Sequence, residues 1–353
     1  MQNLLVTGGC GYIGSHTALL LLEKGYTVYI IDSNCNSNPF VINKLKKIIM
    51  KKDKQLAKNL IFFKGDLRKK KDIERIFEYS KHNNKIIEAV VHLAGFKSVN
   101  ESMKYPLMYW DSNLIGTINL LKVMQKYLCY NLIFSSSATI YSCLENKLID
   151  ENFPIKPINP YGNTKRCIET LLEDIYKSEK AKWKIINLRY FNPIGAHHSG
   201  DIGEDPNGIP NNLFPLILQV ASSKLRELKI FGNNWDTRDG TCIRDYIHIL
   251  DLANAHIAAF EYLSKTKSQI INFNIGTGKG TSVLELINTF KNVNKIKLPY
   301  SFTSRREGDQ KYIVADNSRA LSTLNWKPLK SLEDMCRDGW KWQLKNPNGY
   351  IDN

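Results

Sequence analysis

The 353-residue sequence predicts a doubly wound α/β protein, a parallel Rossmann sheet followed by a smaller mixed C-terminal region. Three observations carry that expectation. Short apolar runs recur with helical patterns between them, a glycine-rich turn joins the first run to its helix, and polar residues gather just past the runs. In open parallel sheets, ligands sit beyond those carboxyl ends.

The first run is Leu4-Leu5-Val6. Thr7-Gly8-Gly9-Cys10-Gly11-Tyr12-Ile13-Gly14 breaks it, and Tyr26 to Ile31 forms the second run, ending in Asp32. Strand, glycine turn, helix and strand make one βαβ unit. There Gly8 permits a tight turn, Gly11 lets the backbone approach a pyrophosphate, and Gly14 lets the helix pack closely. The helix amino end offers unpaired N–H groups to phosphate oxygens. Asp32, eighteen residues past Gly14, is placed to accept from both hydroxyls of an adenosine ribose. Ser33 and Asn34 follow it, with no arginine to receive a 2′-phosphate, so the expected dinucleotide is NAD and not NADP.

Further runs are Leu60 to Phe63 ahead of Gly65-Asp66-Leu67, Ala89 to Leu93 ahead of Ala94-Gly95, Asn131 to Ser135, and Lys184 to Leu188. Continuous apolar strands imply a sheet covered on both faces. Asp32, Asp66, Ala94, Ser137 and Tyr190-Phe191-Asn192 then share one edge of it. From Pro193 to Asn212 the chain turns rich in Gly, Pro, Asn and Asp. This divides a dinucleotide-binding domain over 1–192 from a second domain over 193–353, with helices near Leu213 to Ser222 and Val283 to Phe290 and a basic loop at Arg305-Arg306. Leu250 to Leu263 and Ile271 to Ile275 have the helix and strand character to return to the first sheet. There is no internal repeat, and only the lysine-rich stretch near 44–58 is compositionally biased.

Tyr161 and Lys165 lie four residues apart in Pro160-Tyr161-Gly162-Asn163-Thr164-Lys165, two dozen residues after Ser135-Ser136-Ser137-Ala138-Thr139. Side chains at i and i+4 stack on one helix face, so an ammonium is held beside a phenol. Nearby positive charge favours a phenolate and draws a pKa of about 10 toward working pH. Tyr161 is therefore the candidate base for a carbinol proton, and a strand-end serine can hydrogen-bond the same alcohol.

Composition narrows the alternatives. A hydrophobic share of 43% with 24% charged residues is globular, and no run of eighteen apolar residues exists to span a membrane. The first strand begins by residue 4, which leaves no room for a cleaved leader. Seven scattered cysteines, at 10, 35, 129, 143, 167, 242 and 336, show no CxxC spacing. They read as reduced thiols of a cytoplasmic protein, with neither a disulfide frame nor a metal site. The net charge of +15 raises the question of nucleic acid. Its lysines, however, concentrate at Lys44 to Lys58 and Arg68-Lys69-Lys70-Lys71 without interleaved aromatics, as on a solvated surface.

The motifs TGGCGYIGSH, HLAG with the following Phe96-Lys97, SSSATIY, PYGNTK, LRYFNPIGAH, GIPNNL, RDYIH and RREGD, in that order from Asn3 to about Tyr350, together resemble the UDP-glucose 4-epimerase family of the extended short-chain dehydrogenase/reductase superfamily. The resemblance implies that Tyr12, Ile13, Asp32, Ser33, Asn34, Cys35, Asn36, Ser37, Asp66, Leu67, Leu93, Ala94, Gly95, Phe96, Lys97, Asn113 and Phe191 surround NAD. It implies Ser137, Tyr161 and Lys165 as the catalytic set, all three also contacting cofactor or sugar. Asn192, Asn212, Leu213, Lys229, Ile230, Phe231, Arg244, Arg306, Glu307, Gly308 and Asp309 would hold the UDP moiety, and Ile313, four residues past Asp309, would face the sugar. Two arginines from separate segments suit a diphosphate, and Phe231 suits a uracil face. The implied activity interconverts UDP-glucose and UDP-galactose: Tyr161 takes the 4-hydroxyl proton while C4 gives hydride to NAD, and the 4-keto sugar turns over and takes the hydride back. The resemblance further implies a homodimer through the helices near 106–127 and 160–178. His197 and His198 fall in a loop and are expected to play no catalytic part.

A sugar-nucleotide 4,6-dehydratase shares fold, cofactor and the Tyr-Lys pair, but needs an acidic pair where Ala138 and Thr139 stand. A silent NAD-binding regulator would have no need of Ser137, Tyr161 and Lys165 together.

Overall fold

A computed structural model describes residues 2–142, 147–208, 210, 212–306 and 308–351. The first part of the chain alternates strand and helix: β1 (Asn3–Thr7), α1 (Tyr12–Glu23), β2 (Thr27–Asp32), α2 (Val41–Lys52), β3 (Leu60–Lys64), α3 (Lys70–His82) and β4 (Ala89–His92). After β4 come α4 (Val99–Lys104), α5 (Pro106–Tyr109), a π-helical turn (Trp110–Ile115) and α6 (Gly116–Lys126), then β5 (Asn131–Ser137), α7 (Pro160–Ser178) and β6 (Lys184–Tyr190).

The second part holds β7 (Asn192–Ile194), α8 (Leu213–Ala221), β8 (Leu228–Phe231), β9 (Ile243–His248), α9 (Ile249–Lys265) and β10 (Gln269–Ile275). It ends with β11 (Gly280–Ser282), α10 (Val283–Asn294), β12 (Tyr300–Thr303), β13 (Tyr312–Ile313), α11 (Ser318–Thr323) and α12 (Leu332–Lys345).

Seven strands form one sheet in the order β10-β6-β5-β4-β1-β2-β3. Every neighbouring pair in it is parallel. The continuous apolar runs are explained by burial on both faces. Leu4, Val6, Val28 and Ile30 enter one core with α1 and α9, while Leu5, Tyr29, Val90 and Leu132 enter another with α3, α6 and α7. The strand near 271–275 does return to this sheet, as β10 beside β6. A third core, around Phe214, Ile230, Phe290 and Met335, belongs to the smaller region. There β9 pairs with β7, β11 and β13, and β8 pairs with β12.

The helix expected across 106–127 is not continuous. The chain widens to a π turn over Trp110–Ile115, which lets Asn113 point into the fold. Its Oδ1 accepts from Phe96 N at 2.8 Å, and its Nδ2 donates to Phe96 O at 3.1 Å and to Thr164 Oγ1 at 3.1 Å. A helix distorted by one wide turn to satisfy tertiary bonds is how such turns ordinarily arise.

Beneath α7, Glu169 and Arg189 are buried together. Arg189 Nε and NH2 donate to the two Glu169 oxygens at 3.0 and 2.8 Å, while Arg189 NH1 donates to Tyr141 Oη at 2.7 Å and Glu151 O at 2.9 Å. Ser136 Oγ donates to Glu169 Oε1 at 2.5 Å. Burial opposes the guanidinium charge, and the Glu169 hydrogen bonds and charge outweigh it, so the Arg189 pKa is raised. Glu169→Ala would leave that cation without its counter-ion in a dry site and should cost about 3–5 kcal/mol. Urea unfolding followed by circular dichroism measures this; a loss under about 1 kcal/mol would show that the guanidinium finds other solvation.

Candidate active site

The glycine turn opens a cavity along the carboxyl edge of the sheet. Gly8 takes φ +69°, and a β-carbon there would stand 2.8 Å from the Ala94 backbone. Gly14 packs against the turn itself, since its β-carbon would fall 2.2 Å from Gly8 O. Gly11 caps α1 with no side-chain hydrogen bond, and no acid stands in the first turn, so the helix presents open N–H groups as an anion requires. The Asp32 carboxylate accepts from Cys10 N at 2.9 Å, Asn34 N at 2.9 Å and Ser37 Oγ at 2.8 Å, which ties the end of β2 to the glycine turn. Burial, then the Asp32 charge, pushes the Cys10 thiol well up, so it is no nucleophile.

Most of the expected cofactor set lines this one cavity: Gly8, Gly11, Tyr12, Ile13, Gly14, Asp32, Ser33, Cys35, Asn36, Ser37, Asp66, Leu67, Leu93, Ala94, Gly95, Phe96, Lys97, Tyr161 and Lys165. Asn34, Asn113, Ser137 and Phe191 are not among its walls. Asn34 turns the chain through a left-handed φ of 58°, Asn113 holds the 95–97 loop from behind, and Phe191 is buried in a small cluster with Ala138 and Ala315. The sequence reading missed Ser112, Ser135, Tyr190, Gly203 to Pro206 and Tyr350, which also line the cavity. Ser135 and Tyr190 stand at strand ends the sequence had marked, whereas Ser112, residues 203–206 and Tyr350 arrive from segments with no local signal.

The end of β5 and the start of α7 are pressed together at the cavity wall. Asn159 caps α7 by accepting from Gly162 N at 2.8 Å, with Pro160 in the first turn. A β-carbon at Gly162 would meet Thr139 O at 2.7 Å, so this position needs glycine for the approach. Tyr161 is thereby brought to the end of β5, where Ser137 Oγ accepts from Thr139 N at 3.2 Å. Lys165 Nζ donates to Ser135 O at 2.6 Å and stands 5.9 Å from the centre of the Tyr161 ring.

Burial acts against the phenolate that the spacing favours. Lys165 was expected to draw Tyr161 toward phenolate. Burial raises the Tyr161 pKa, and the Ser137 hydroxyl works the other way. Burial also pushes Lys165 down to about 7, with Glu169 working the other way. Both charged forms are disfavoured by desolvation, which outweighs their mutual effect. Of the loop histidines, His197 Nδ1 lies 2.7 Å from Ser199 Oγ, and burial takes its pKa down to about 4.

At the other end, Phe231 closes β8 and the Arg306 guanidinium lies 4.5 Å over its ring. Arg306 Nε donates to Asp309 Oδ2 at 3.1 Å, and Arg244 NH2 stands 3.9 Å from Asp309 Oδ1, so an aromatic face, two cations and an acid share one place. Lys229 is exposed and bonded to Glu227 and Ser301, while the Ile230 side chain is buried and leaves only its main chain available. Asn192 lies in β7 beside Tyr246 of β9. Asn212 stands at the start of α8 with its side chain free of the helix, and Leu213 follows against the third core. Gly308 turns at φ +78°, and Glu307 lies outside the described residues. Ile313 pairs in register with Arg244 and packs on the Ala138–Phe191 cluster, which puts it next to the end of the Ser137 strand. After Ser137, Thr139 only hydrogen-bonds Ser137 Oγ, at 3.0 Å, so no acid follows the serine.

Among known proteins, the family model described as GDP-mannose 4,6 dehydratase matches residues 5–339. The chain is 48% identical over 349 residues to a UDP-glucose 4-epimerase of Cyamopsis tetragonoloba, covering 99% of this chain and 97% of that protein. Its fold matches the UDP-glucose 4-epimerase of Stenotrophomonas maltophila, solved with NAD and formylated UDP-arabinopyranose, with a TM-score of 0.92 and 42% identity over 98% of this chain and 99% of that one. The Bifidobacterium longum enzyme, solved with NAD+ and UDP, gives 0.91 and 41% over 99% and 100%. Likeness of this degree over the whole length places the protein in the UDP-glucose 4-epimerase family.

Proposed function

We propose that the protein interconverts UDP-glucose and UDP-galactose by NAD-dependent oxidation at C4 and return of the hydride to the opposite face, in nucleotide-sugar and galactose metabolism. The observation that carries this is the presence of Tyr161 and Lys165 in the wall of a cavity whose glycine turn and Asp32 fit a dinucleotide, with Ser137 at the adjoining end of β5. Bound there, NAD would accept and return the hydride, and its positively charged ring would favour the tyrosine phenolate that burial disfavours. Tyr161 takes the proton from the 4-hydroxyl and later gives it back; Ser137 holds the same oxygen. Lys165, anchored on Ser135 O, retains donors for the nicotinamide ribose. Phe231 stacks uracil, and Arg244 and Arg306 hold the diphosphate. Binding strength placed on UDP leaves the hexose free to turn.

In this reading residues 1–192, joined by 250–276, carry the cofactor, and the remainder of 193–353 carries the UDP-sugar. The exposed side chains of Met103, Tyr105, Leu107 and Ile115 form an apolar face beside α7, as a self-complementary homodimer contact would; sedimentation velocity showing only monomer would contradict it. No helix among the described residues is long and apolar enough to cross a membrane, and the six described cysteines are free, which supports a cytoplasmic location.

Purified protein given UDP-galactose should yield UDP-glucose, and denaturing it should release NAD or NADH. Mainly NADP in the extract would overturn the reading of Asp32. Tyr161→Phe should lower turnover by at least about a hundredfold while sparing UDP binding; activity within a few fold of the parent would remove Tyr161 from its role. Ile313 fills space beside the sugar, so UDP-N-acetylglucosamine should be slower by about tenfold to a hundredfold, and Ile313→Gly should recover part of that. Equal catalytic efficiency on both sugars in the parent would refute the steric argument.

A further inference from the structure

The second region does more than complete the UDP site. Gly203, Glu204, Asp205, Pro206 and Tyr350 wall the same cavity as the glycine turn, though no nucleotide-binding motif contains them. We infer that residues 203–206 and 349–350 form a strap that holds the dinucleotide in its cavity between turnovers; the inference rests on the assignment of NAD to that cavity.

The strap is fastened at two levels. Internally, Tyr350 Oη donates to Gly203 O at 3.0 Å and accepts from Gly203 N at 2.9 Å, and Tyr350 N donates to Asp205 Oδ2 at 2.9 Å. Neither glycine tolerates a side chain, Gly203 because α12 lies against it and Gly349 because the other segment does. A β-carbon at Gly203 would fall 2.4 Å from the Trp342 ring, and one at Gly349, where φ is +75°, would fall 2.1 Å from Asp205 Oδ1. Externally, the strap and its approach are tied to three loops at the sheet edge. Tyr12 Oη, one residue past Gly11, donates to Gly195 O at 2.7 Å. Asn38, just beyond the Asp32 loop, donates to Tyr350 O at 2.7 Å. Lys97, after β4, meets Glu204 Oε1 at 2.7 Å. The phenol of Tyr350 is buried.

A dinucleotide lying on the glycine turn would thus be covered from the far side by a segment whose release requires several buried bonds to open together. Such closure suits this chemistry. An oxidation followed by an equal reduction leaves the cofactor as it began, so nothing in the cycle calls for its exchange. A dehydrogenase that releases reduced cofactor at every turnover would be slowed by the same strap.

Tyr350→Phe removes the two Gly203 bonds while keeping the ring, and Glu204→Gln removes the ion pair to Lys97 without opening the core. Each variant and the parent would be loaded with radiolabelled NAD, chased with excess unlabelled NAD, and followed for label retained; UDP affinity would be read in parallel by calorimetry. We expect label to leave about fivefold to tenfold faster from each variant, the scale of one or two lost hydrogen bonds, and faster still from the double variant, with UDP affinity unchanged within about threefold. Parental release rates in both variants would overturn the strap. So would a loss of UDP affinity equal to the loss of NAD, which would mean general loosening. If the parent takes up no labelled NAD and also releases no NAD or NADH on denaturation, the cofactor assignment falls and the strap falls with it.

Discussion

The buried contact of Glu169 with Arg189 and Ser136 fixes the geometry on which the site depends. It joins α7 to β5 and β6 at the level where their carboxyl ends meet, and through Arg189 it reaches Tyr141 and Glu151 in the segment that crosses toward the smaller region. Glu169 lies one turn beyond Lys165, as Lys165 lies one turn beyond Tyr161, so one stripe of α7 carries phenol, amine and carboxyl. A side chain buried to this depth must have its charge answered, and Glu169 meets Arg189 by direct contact, Arg166 at 3.9 Å and Lys165 through space. The pair is therefore positioning machinery: it keeps Tyr161 within reach of Ser137 although neither of its members touches the cavity.

The two ends of the site are built on opposite terms. The glycine end is closed by close backbone approach, with Gly8, Gly14 and Gly203 all pressed against neighbours. The Phe231 end is made of long side chains on separate segments, Arg244 on β9 and Arg306 after β12, whose mutual contacts a diphosphate would replace. A fixed cofactor and a substrate gripped by its nucleotide are what an internal redox cycle requires. Between them, the protonation states of Tyr161 and Lys165 are set by desolvation in the protein alone, so positive charge arriving with the cofactor has the largest effect available to it.

Much of this was legible in the chain. Runs such as Leu4-Leu5-Val6 and Lys184 to Leu188 cannot alternate in polarity because both faces of the sheet are covered, and that same burial made them easy to find. Asp32 and Tyr161 stood out because their spacing has one geometric meaning. What stayed hidden was created by tertiary contact. Arg189 and Glu169 have the composition of surface residues and are the most buried charges near the site. The π turn at Trp110–Ile115 exists because Asn113 must bond Phe96 and Thr164, partners outside its helix. Tyr350 lines a cavity whose motif ends more than three hundred residues earlier. Spacing shows the charge beside Tyr161 and conceals the depth of its burial.

The central claim is that one hydrogen leaves C4 and returns to C4 without meeting solvent. UDP-galactose carrying deuterium at C4 tests it most directly, by mass spectrometry and proton resonance of the UDP-glucose formed. The account predicts full retention of deuterium at C4 of the product in ordinary water. Product bearing solvent hydrogen at C4 would contradict it, because the hydrogen would then have left as a proton and not as a hydride held within the closed site.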